Sequence, residues 1–244
     1  MNIAIVTGAT SGLGRAFLEE WAAQSAHFDE VWLVSRRADA LERVAAALSW
    51  QARCFAIDLS AADERAQLFA ALRAERPQVQ ALVNAAGYGK IGQVAQIAPD
   101  EQSGMVDLNC TALVDLTQRV LPFMAAGSVI YEIASVAAFL PQPGFAVYAA
   151  TKAFVLSFSR ALAAEQKSRG VRVVAVCPNP KHTAFFERAG ENPNLHKLLF
   201  FEKPHDVARA AMRDAAKGRD VSTNCRMAGL IRIAAKMLPH RAII

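Results

Sequence analysis

Residues 7–14 read Thr-Gly-Ala-Thr-Ser-Gly-Leu-Gly and stand between a short apolar run and a helical pattern. The run Ile3–Val6 predicts a strand, and the apolar spacing over Arg15–Ala26 predicts a helix. Glycines at such a junction permit a tight turn and let backbone amides approach a phosphate at the positive end of the helix. Because this is the first strand-to-helix junction of the chain, the stretch predicts a dinucleotide-binding turn, with a purely structural turn as the alternative.

Short apolar runs continue to alternate with helical patterns along the chain. Further strands are predicted over Val31–Val34, Cys54–Ile57, Ala81–Asn84, Val129–Ile133 and Val171–Val176, with helices between them. These runs lack a period of two, which is typical of parallel strands buried on both faces. The sequence therefore predicts an α/β fold, a single-domain, Rossmann-like, doubly wound parallel sheet of about seven strands flanked by helices.

Composition limits the classes of partner. The chain has 244 residues, of which 53% are hydrophobic, enough for one domain with a sizeable core. No apolar run approaches the ~18 residues that a membrane span requires. The net charge is +5, yet the basic residues are scattered, which favours a solvated surface over a nucleic-acid footprint. We expect one domain over residues 1–244, with no membrane span and no nucleic-acid partner.

The cysteines and the amino terminus bear on the compartment. Cys54, Cys110, Cys177 and Cys225 stand far apart, without a CxxC pair for a metal or redox site. The first three lie in or beside apolar segments, which favours reduced thiols. Met1 and Asn2 leave no room for the basic start of a signal peptide before the first strand. The sequence predicts a cytoplasmic protein without a metal site.

The glycine spacing is Gly-xxx-Gly-x-Gly rather than the Gly-x-Gly-xx-Gly of many dehydrogenases. It resembles the compact branch of the short-chain dehydrogenase/reductase family, whose turn reads TGxxxGxG. The resemblance implies that the turn binds a nicotinamide dinucleotide through Gly8, Thr10, Ser11, Gly12, Leu13 and Gly14.

The residues after the second strand indicate which dinucleotide binds. A cofactor without a 2′-phosphate favours a carboxylate here, but the sequence has Ser35-Arg36-Arg37, and Glu30 lies at the opposite end of the strand. Guanidinium groups suit a phosphate, and in the family an Arg at this place usually accompanies NADP(H). We expect NADP (NADPH). The alternative, a surface charge beside the helix, applies more to Arg37 than to Arg36.

Two further strand ends resemble cofactor-contacting segments of the family. Asp58-Leu59 resembles the segment with the adenine-contacting Asp, although Asp58 could also belong to the start of the next helix, for which Ser60 is the better cap. The segment that reads Asn84, Ala85, Ala86 and Gly87 resembles the family's NNAG, with Ala85 in place of the second Asn.

Three residues have the types and spacing for acid–base chemistry at a carbonyl. Tyr148 and Lys152 lie four positions apart and share a helix face, and Ser135 follows the predicted strand Val129–Ile133. A free phenol titrates near ~10, and a neighbouring ammonium and a nicotinamide cation would both lower that value. Ser135 could donate to the substrate oxygen. Taken alone, Tyr148 could be a core tyrosine and Lys152 a surface lysine.

The pattern Ser-x12-Tyr-xxx-Lys resembles the catalytic motif of the family. The resemblance implies that Tyr148 exchanges the proton with the carbonyl oxygen and that Lys152 also binds the cofactor ribose. Asn109, in the predicted helix Val106–Val120, matches the family's helix Asn, which holds a proton-relay water through its backbone.

The segment after the sixth strand resembles the family's PG segment at the nicotinamide carboxamide. Pro178 and Thr183 are expected to contact the cofactor. Asn179 stands where Gly is usual, and it fits only if that Gly needs no positive φ, because a residue before proline is extended.

The carboxyl-terminal part of the chain is expected to contact the substrate. In the family, residues 181–206 would form a variable substrate lid, and here they are rich in Phe and Leu. An apolar lid implies an apolar substrate, with ordinary core packing as the alternative. The tail 228–244 contains an apolar stretch with Arg232 and Lys236, which favours subunit contact or docking over membrane association.

These observations converge on an NADP(H)-dependent oxidoreductase that interconverts a carbonyl and an alcohol on a largely apolar small molecule. The family resemblance implies a homodimer or homotetramer. Two alternatives stay open: a nucleotide-sensing protein with vestigial catalysis, and an epimerase or dehydratase, which share Tyr-xxx-Lys but carry a different glycine spacing and a longer substrate domain.

Overall fold

The computed structural model describes residues 1–179, 189, 202–224, 228–229, 232 and 235. Seven strands form one sheet: β1 (Asn2–Thr7), β2 (Glu30–Ser35), β3 (Gln51–Ala56), β4 (Gln78–Asn84), β5 (Val129–Ile133), β6 (Arg172–Val176) and β7 (Val221–Ser222). Their order is β3-β2-β1-β4-β5-β6-β7, and each neighbouring pair is parallel. The predicted parallel sheet is confirmed. β7 was not placed by the sequence because two residues are too few for a hydrophobic run.

Helices cover both faces of the sheet. They are α1 (Gly12–Ala23), α2 (Ala38–Ala46), α3 (Ala62–Glu75), α4 (Pro99–Val106), α5 (Leu113–Val120), α6 (Ala146–Gln166) and α7 (Pro204–Ala216). A π-helical segment, Asp107–Ala112, joins α4 to α5. The predicted helix Val106–Val120 is therefore wrong at its start, since helical structure begins at Pro99 and changes its winding around Asn109, whereas its end at Val120 is confirmed.

The helix α1 begins three residues before the predicted Arg15. Ser11 is extended, with φ −161°, and the helix starts at Gly12 directly after it. The last three residues of the glycine stretch thus belong to the first turn of α1. They bring the amino end of the helix to the carboxyl end of β1.

Alternate residues of each central strand enter different cores, which explains why the strand runs lack a period of two. In β1, Ala4 and Val6 pack in the core with Phe17 of α1, whereas Ile3 and Ile5 pack in the core with Leu68 of α3. All four strand residues are fully buried. Burial of each larger side chain stabilises the fold by about 1.5–3 kcal/mol.

The strand order reverses between β1 and β4. From β1 the chain moves outward to β2 and β3, and then crosses back to β4 on the other side of β1. At such a switch point the loops at the carboxyl ends diverge and leave a crevice. The fold therefore places the glycine turn and the end of β4 on either side of one crevice.

Several predictions fall largely outside the described residues. Of the segment 181–206, the structure describes Ala189 and residues 202–206, and the last three of these already belong to α7. Of the tail 228–244, it describes residues 228–229, 232 and 235. The lid and tail assignments, and the single domain over 1–244, stay predictions. No helix in the described part of the chain is long and apolar enough to cross a membrane.

Candidate active site

A cleft of about 540 Å³ lies at the carboxyl ends of the strands. Its volume is within the range of about 300–1,000 Å³ that is typical of ligand pockets. The residues that line it are Gly8, Thr10, Ser11, Gly12, Leu13, Val34, Ser35, Arg36, Arg37, Ile57, Asp58, Leu59, Ala85, Ala86, Gly87, Tyr88, Leu108, Ile133, Ala134, Ser135, Tyr148, Lys152, Pro178, Asn179, Glu202, Pro204 and Val207. Most predicted site residues are among them. Gly14, Asn84 and Asn109 are not, and Thr183 lies outside the described residues.

The glycine turn has the shape of an anion cradle. Gly8 and Gly12 have φ of +64° and +57°, which favour glycine. A Cβ on Gly12 would meet nothing within 4 Å, and no side chain of Ser11 caps the helix start. Gly12 and Leu13 line the cleft and no side chain caps the helix start, so the amides of the first turn of α1 are open to a pyrophosphate.

Gly14 serves packing rather than the lining of the cleft. A Cβ at this position would lie 2.5 Å from the Gly8 carbonyl oxygen. Gly14 thus allows the helix to pack directly on the turn, and its predicted contact with the cofactor stays a prediction.

The end of β2 presents two guanidinium groups and no carboxylate. Arg36 and Arg37 line the cleft beside Ser35, whose hydroxyl is hydrogen-bonded to that of Thr10 at 3.1 Å. The Arg36 side chain is 56% exposed, and its Nη1 lies 3.8 Å from Asp58 Oδ2. Glu30 is at the other end of β2, as predicted, and accepts a hydrogen bond from Trp32.

Asp58 lines the cleft and also organises the loop before α3. Its Oδ1 accepts hydrogen bonds from the backbone N and the hydroxyl of Ser60. The predicted cap by Ser60 is wrong: α3 follows Ala61, which provides no side-chain cap, and the Ser60 hydroxyl is directed to Asp58.

The end of β4 divides its residues between the cleft and the core. Ala85, Ala86 and Gly87 line the cleft, and the Ala86 N–H donates to Thr7 Oγ1 at 3.0 Å. Asn84 is buried and faces away, because its Nδ2 donates to groups in the core. The side chain of Asn84 therefore has a structural role, and the predicted contact of Asn84 with the cofactor stays a prediction.

Ser135, Tyr148 and Lys152 come together at the end of β5. Each is more than nine-tenths buried and lines the cleft. The hydroxyl of Ser135 is hydrogen-bonded to that of Tyr148, and it also accepts from the Ala137 N–H at 3.1 Å. Lys152 Nζ donates to the Ile133 carbonyl at 2.6 Å and lies 5.8 Å from the Tyr148 ring centroid.

Burial has the largest effect on the pKa values of Tyr148 and Lys152. It raises the pKa of Tyr148 to about 12, against the hydrogen bond from Ser135. It lowers the pKa of Lys152 to about 8. In the protein by itself this desolvation outweighs the lowering of the phenol pKa expected from neighbouring charges, and the effect of a bound nicotinamide cation stays a prediction.

The side chain of Asn109 does not line the cleft but hydrogen-bonds to residues beside it. It lies in the π-helical segment, 1% exposed, where its Oδ1 accepts from Tyr88 N and its Nδ2 donates to Tyr88 O. Nδ2 also contacts Thr151 Oγ1 at 3.1 Å, one residue before Lys152. The side chain therefore positions Tyr88 and α6, and the backbone role implied by the family stays a prediction.

The segment after β6 adds two residues to the cleft. Pro178 and Asn179 both line it, and the Asn179 N–H donates to Glu202 Oε2 at 3.1 Å. Ser25 and Arg76 are the non-glycine residues with positive φ in the described chain. Asn179 therefore occupies the usual Gly position without strain.

Some lining residues were not predicted. Val34, Ile57, Ile133 and Ala134 adjoin predicted site residues at strand ends, so their position in the sequence could have indicated them. Glu202, Pro204 and Val207 come from α7 and the residues before it, which reach the cleft because α7 packs on α1. No local pattern signals that contact. The described residues include no group of three or more His, Cys, Asp or Glu that could hold a metal ion.

Comparisons with known proteins agree with this geometry. The model of the short-chain dehydrogenase family matches residues 2–194. Sulfoacetaldehyde reductase 2 of Chromohalobacter salexigens is 36% identical over 237 residues, which cover 91% of this chain and 92% of that protein.

Two solved structures share the fold over nearly the whole chain. A short-chain dehydrogenase from Sphingobium yanoikuyae in complex with NADPH superposes with a TM-score of 0.80 at 26% identity, covering 97% of this chain and 94% of the other. A 3-ketoacyl-(acyl-carrier-protein) reductase from Brucella melitensis with NADH has a TM-score of 0.76 at 29% identity, covering 90% and 94%. The chain belongs to the short-chain dehydrogenase/reductase family, oxidoreductases that act on alcohol and carbonyl groups.

Proposed function

We propose that the enzyme uses NADP(H) to interconvert a carbonyl and an alcohol on a small substrate with substantial apolar surface. The observation that carries the cofactor choice is the pair Arg36 and Arg37 at the end of β2, where no carboxylate competes for a ribose hydroxyl. The similar structures contain NADPH in one case and NADH in another. The choice of NADP(H) for this enzyme therefore rests on the two arginines.

The residues of the cleft fit such a cofactor from end to end. The amides of the glycine turn would hold the pyrophosphate, and Arg36 and Arg37 would hold the 2′-phosphate. The ion pair of Arg36 with Asp58 is long and exposed, so it costs little to exchange for a phosphate contact. Lys152 and Pro178 would border the nicotinamide end. When bound, the dinucleotide supplies or accepts the hydride.

The proton is moved by Tyr148. In the direction of reduction, the Ser135 and Tyr148 hydroxyls donate to the carbonyl oxygen, and Tyr148 transfers its proton to that oxygen. The Ser135 hydroxyl stays on the substrate oxygen, and the Lys152 ammonium, 5.8 Å from the Tyr148 ring centroid, favours the remaining phenolate. A phenol with a raised pKa suits proton retention before reaction. Oxidation of an alcohol uses the same groups in reverse.

The assignment of Tyr148 is tested with NADPH and a panel of ketones and aldehydes, by following the loss of NADPH absorbance. We expect Tyr148→Phe to reduce turnover by about 10²–10⁴-fold, because the proton donor is removed. Direct titration should find NADPH binding retained, which separates chemistry from folding. Turnover that survives the substitution would contradict the mechanism. Binding of NADPH without turnover of any carbonyl would favour the nucleotide-sensing alternative.

The cofactor choice is tested with Arg36→Ala. Loss of a charge-assisted phosphate contact, about 1.5–3 kcal/mol, should weaken NADPH binding by roughly 10–100-fold and leave NADH binding nearly unchanged. Arg43→Ala, an exposed change on α2 that breaks an ion pair with Asp39, is the matched control. Equal weakening of both cofactors by Arg36→Ala would overturn the proposal.

A small anionic aldehyde is a second candidate substrate, favoured by the likeness to sulfoacetaldehyde reductase 2. Among the described residues of the cleft, the cations are Arg36, Arg37 and Lys152, and the first two are assigned to the cofactor phosphate. The panel should therefore include sulfoacetaldehyde beside propanal. A preference for the sulfonate would replace the apolar substrate class.

A further inference from the structure

Glu132 is a carboxylate in the centre of the sheet. It lies on β5 with no exposed surface, between Asn84 of β4 and Ala175 of β6 in the strand register. A charged group in such a position is costly unless something compensates for the lost water. The role of this residue in the sheet therefore needs an explanation beyond packing.

Neutral donors hold the carboxylate on two sides. Asn84 Nδ2 lies 3.1 Å and 3.0 Å from its two oxygens, and Thr117 Oγ1 donates to Oε1 at 2.8 Å. Asn84 Nδ2 also donates to Thr117 Oγ1 at 2.9 Å. The network joins β4, β5 and α5, and a neutral amide in place of Glu132 could satisfy the same donors. What a carboxylate adds is its charge.

Along β5, Glu132 adjoins the residues that contact Lys152 and line the cleft. Ile133, the next residue on β5, accepts the hydrogen bond from Lys152 Nζ, and Ser135 follows two positions later. Glu132 and Lys152 interact electrostatically, each favouring the charged form of the other. Burial raises the pKa of Glu132 to about 7 and lowers that of Lys152 to about 8, so both titrate near neutral pH.

Among the described residues, two thiols also act on this pair, and each has a larger effect on Lys152 than Glu132 has. The Cys110 thiol of the π-helical segment and the Cys177 thiol after β6 both act on Lys152. The side chains that contact Glu132 from β4 and α5 are the neutral Asn84 and Thr117, and its β6 neighbour is Ala175. Burial raises the pKa of both thiols, so of these three groups in the described part of the chain Glu132 is the one that can be an anion near neutral pH.

We propose that Glu132 is a positioning residue whose buried negative charge keeps Lys152 in the ammonium form that the reaction at Tyr148 requires. The proposal rests on the proposed function for the use of that ammonium. The juxtaposition of the two groups is a property of the protein without substrate, and it is tested there.

The test is a pH titration of Lys152 by NMR, with carbon-13 in the lysine side chains and no added cofactor or substrate. Lys152→Arg identifies the signal. In the parent protein the midpoint should be near 8. In Glu132→Gln it should fall by up to about one pH unit, because an opposite charge favours the charged form of the lysine. The same variant should lose NADPH-dependent turnover over the pH range in which Lys152 becomes neutral.

Two further variants make the result specific. Thr117→Val removes a donor to the carboxylate and should lower the Lys152 midpoint by a smaller amount, which keeps the proposal testable if Glu132→Gln fails to fold. Glu30→Gln, a change at another buried strand glutamate, should leave the midpoint unchanged. An unchanged midpoint in Glu132→Gln, or an equal fall in Glu30→Gln, would overturn the proposal. Failure of the proposed function would instead appear as absent NADPH-dependent turnover with the titration shifts intact.

Discussion

The ring of Tyr148 is held in place by a stacked neighbour, Phe145, which directly precedes α6. The two ring centroids lie 4.3 Å apart with planes 22° from parallel, and both residues are buried. A Cβ on Gly89 would come within 2.9 Å of both rings, so the wall behind them is closely packed. The position of the Tyr148 hydroxyl therefore depends on a contact that the Tyr-xxx-Lys spacing does not contain.

We predict that Phe145→Leu lowers kcat by roughly 10-fold, since the stacking of an aromatic pair contributes about 0.5–1.5 kcal/mol beyond its buried area. NADPH affinity should stay close to that of the parent enzyme. Phe154→Leu is the matched control, because Phe154 also stacks on a ring, that of Phe158, but is 44% exposed on the same helix. Steady-state kinetics and NADPH titration check both variants. Equal kcat in the two variants would show that the stack does not position Tyr148.

Residues that act within one turn or one strand end were predictable from the sequence. Tyr148 and Lys152 meet because four helical positions bring side chains to one face, whatever else the chain does. Asn84 is predicted to contact the cofactor because its segment resembles the family's NNAG. Its actual partner, Glu132, is 48 positions away, and no local pattern connects the two.

Between elements, a buried carboxylate joins α1 to α7. Glu20 of α1 is 5% exposed and accepts two hydrogen bonds from Arg209 of α7, with His205 contacting the same carboxylate. The hydrogen bond from Arg209 holds the pKa of Glu20 below its usual range. Because α7 contributes Pro204 and Val207 to the cleft, this contact links the stability of the fold to the shape of the site.

We predict that Glu20→Gln lowers the free energy of unfolding at neutral pH by about 1–3 kcal/mol, through loss of the charge-assisted hydrogen bonds. A carboxyl whose pKa is lowered on folding stabilises the protein above its unfolded pKa, and the effect disappears as the pH falls below about 4. Urea unfolding at neutral and acid pH measures both effects. Glu19→Gln, a more exposed neighbour paired with Arg15, should cost less. A Glu20→Gln deficit that persists unchanged in acid would contradict the assignment.

For the whole molecule, the alternation of strands and helices predicted the sheet, because burial on both faces makes the strands continuous apolar runs in the sequence. The bounds of α1 and of α4 and α5 were harder to predict. The helix α1 starts inside the glycine turn, and the chain around Asn109 winds as a π-helix under tertiary contacts with Tyr88 and Thr151. The wall contributed by α7 depends on the packing of two helices that are far apart in sequence.

The buried carboxylate of Glu132 makes the stability of the whole protein depend on pH. Its pKa in the folded protein is about 7, above the ordinary value, so the folded state holds a proton that the unfolded state releases between about pH 4.5 and 7. Stability from this group is therefore complete at lower pH and is lost as the pH rises through 7. The loss amounts to about 3 kcal/mol.

We predict that Glu132→Gln, which cannot ionise, unfolds at nearly the same urea concentration as the parent protein at about pH 5. At about pH 8 the variant should unfold at a higher urea concentration than the parent protein. Gain of stability and loss of Lys152 ammonium in the same variant would be expected if a buried charge is retained for the reaction rather than for the fold. Glu30→Gln should show no such crossover with pH. Destabilisation of Glu132→Gln that is equal at both pH values would instead assign the carboxylate to the hydrogen-bond network with Asn84 and Thr117.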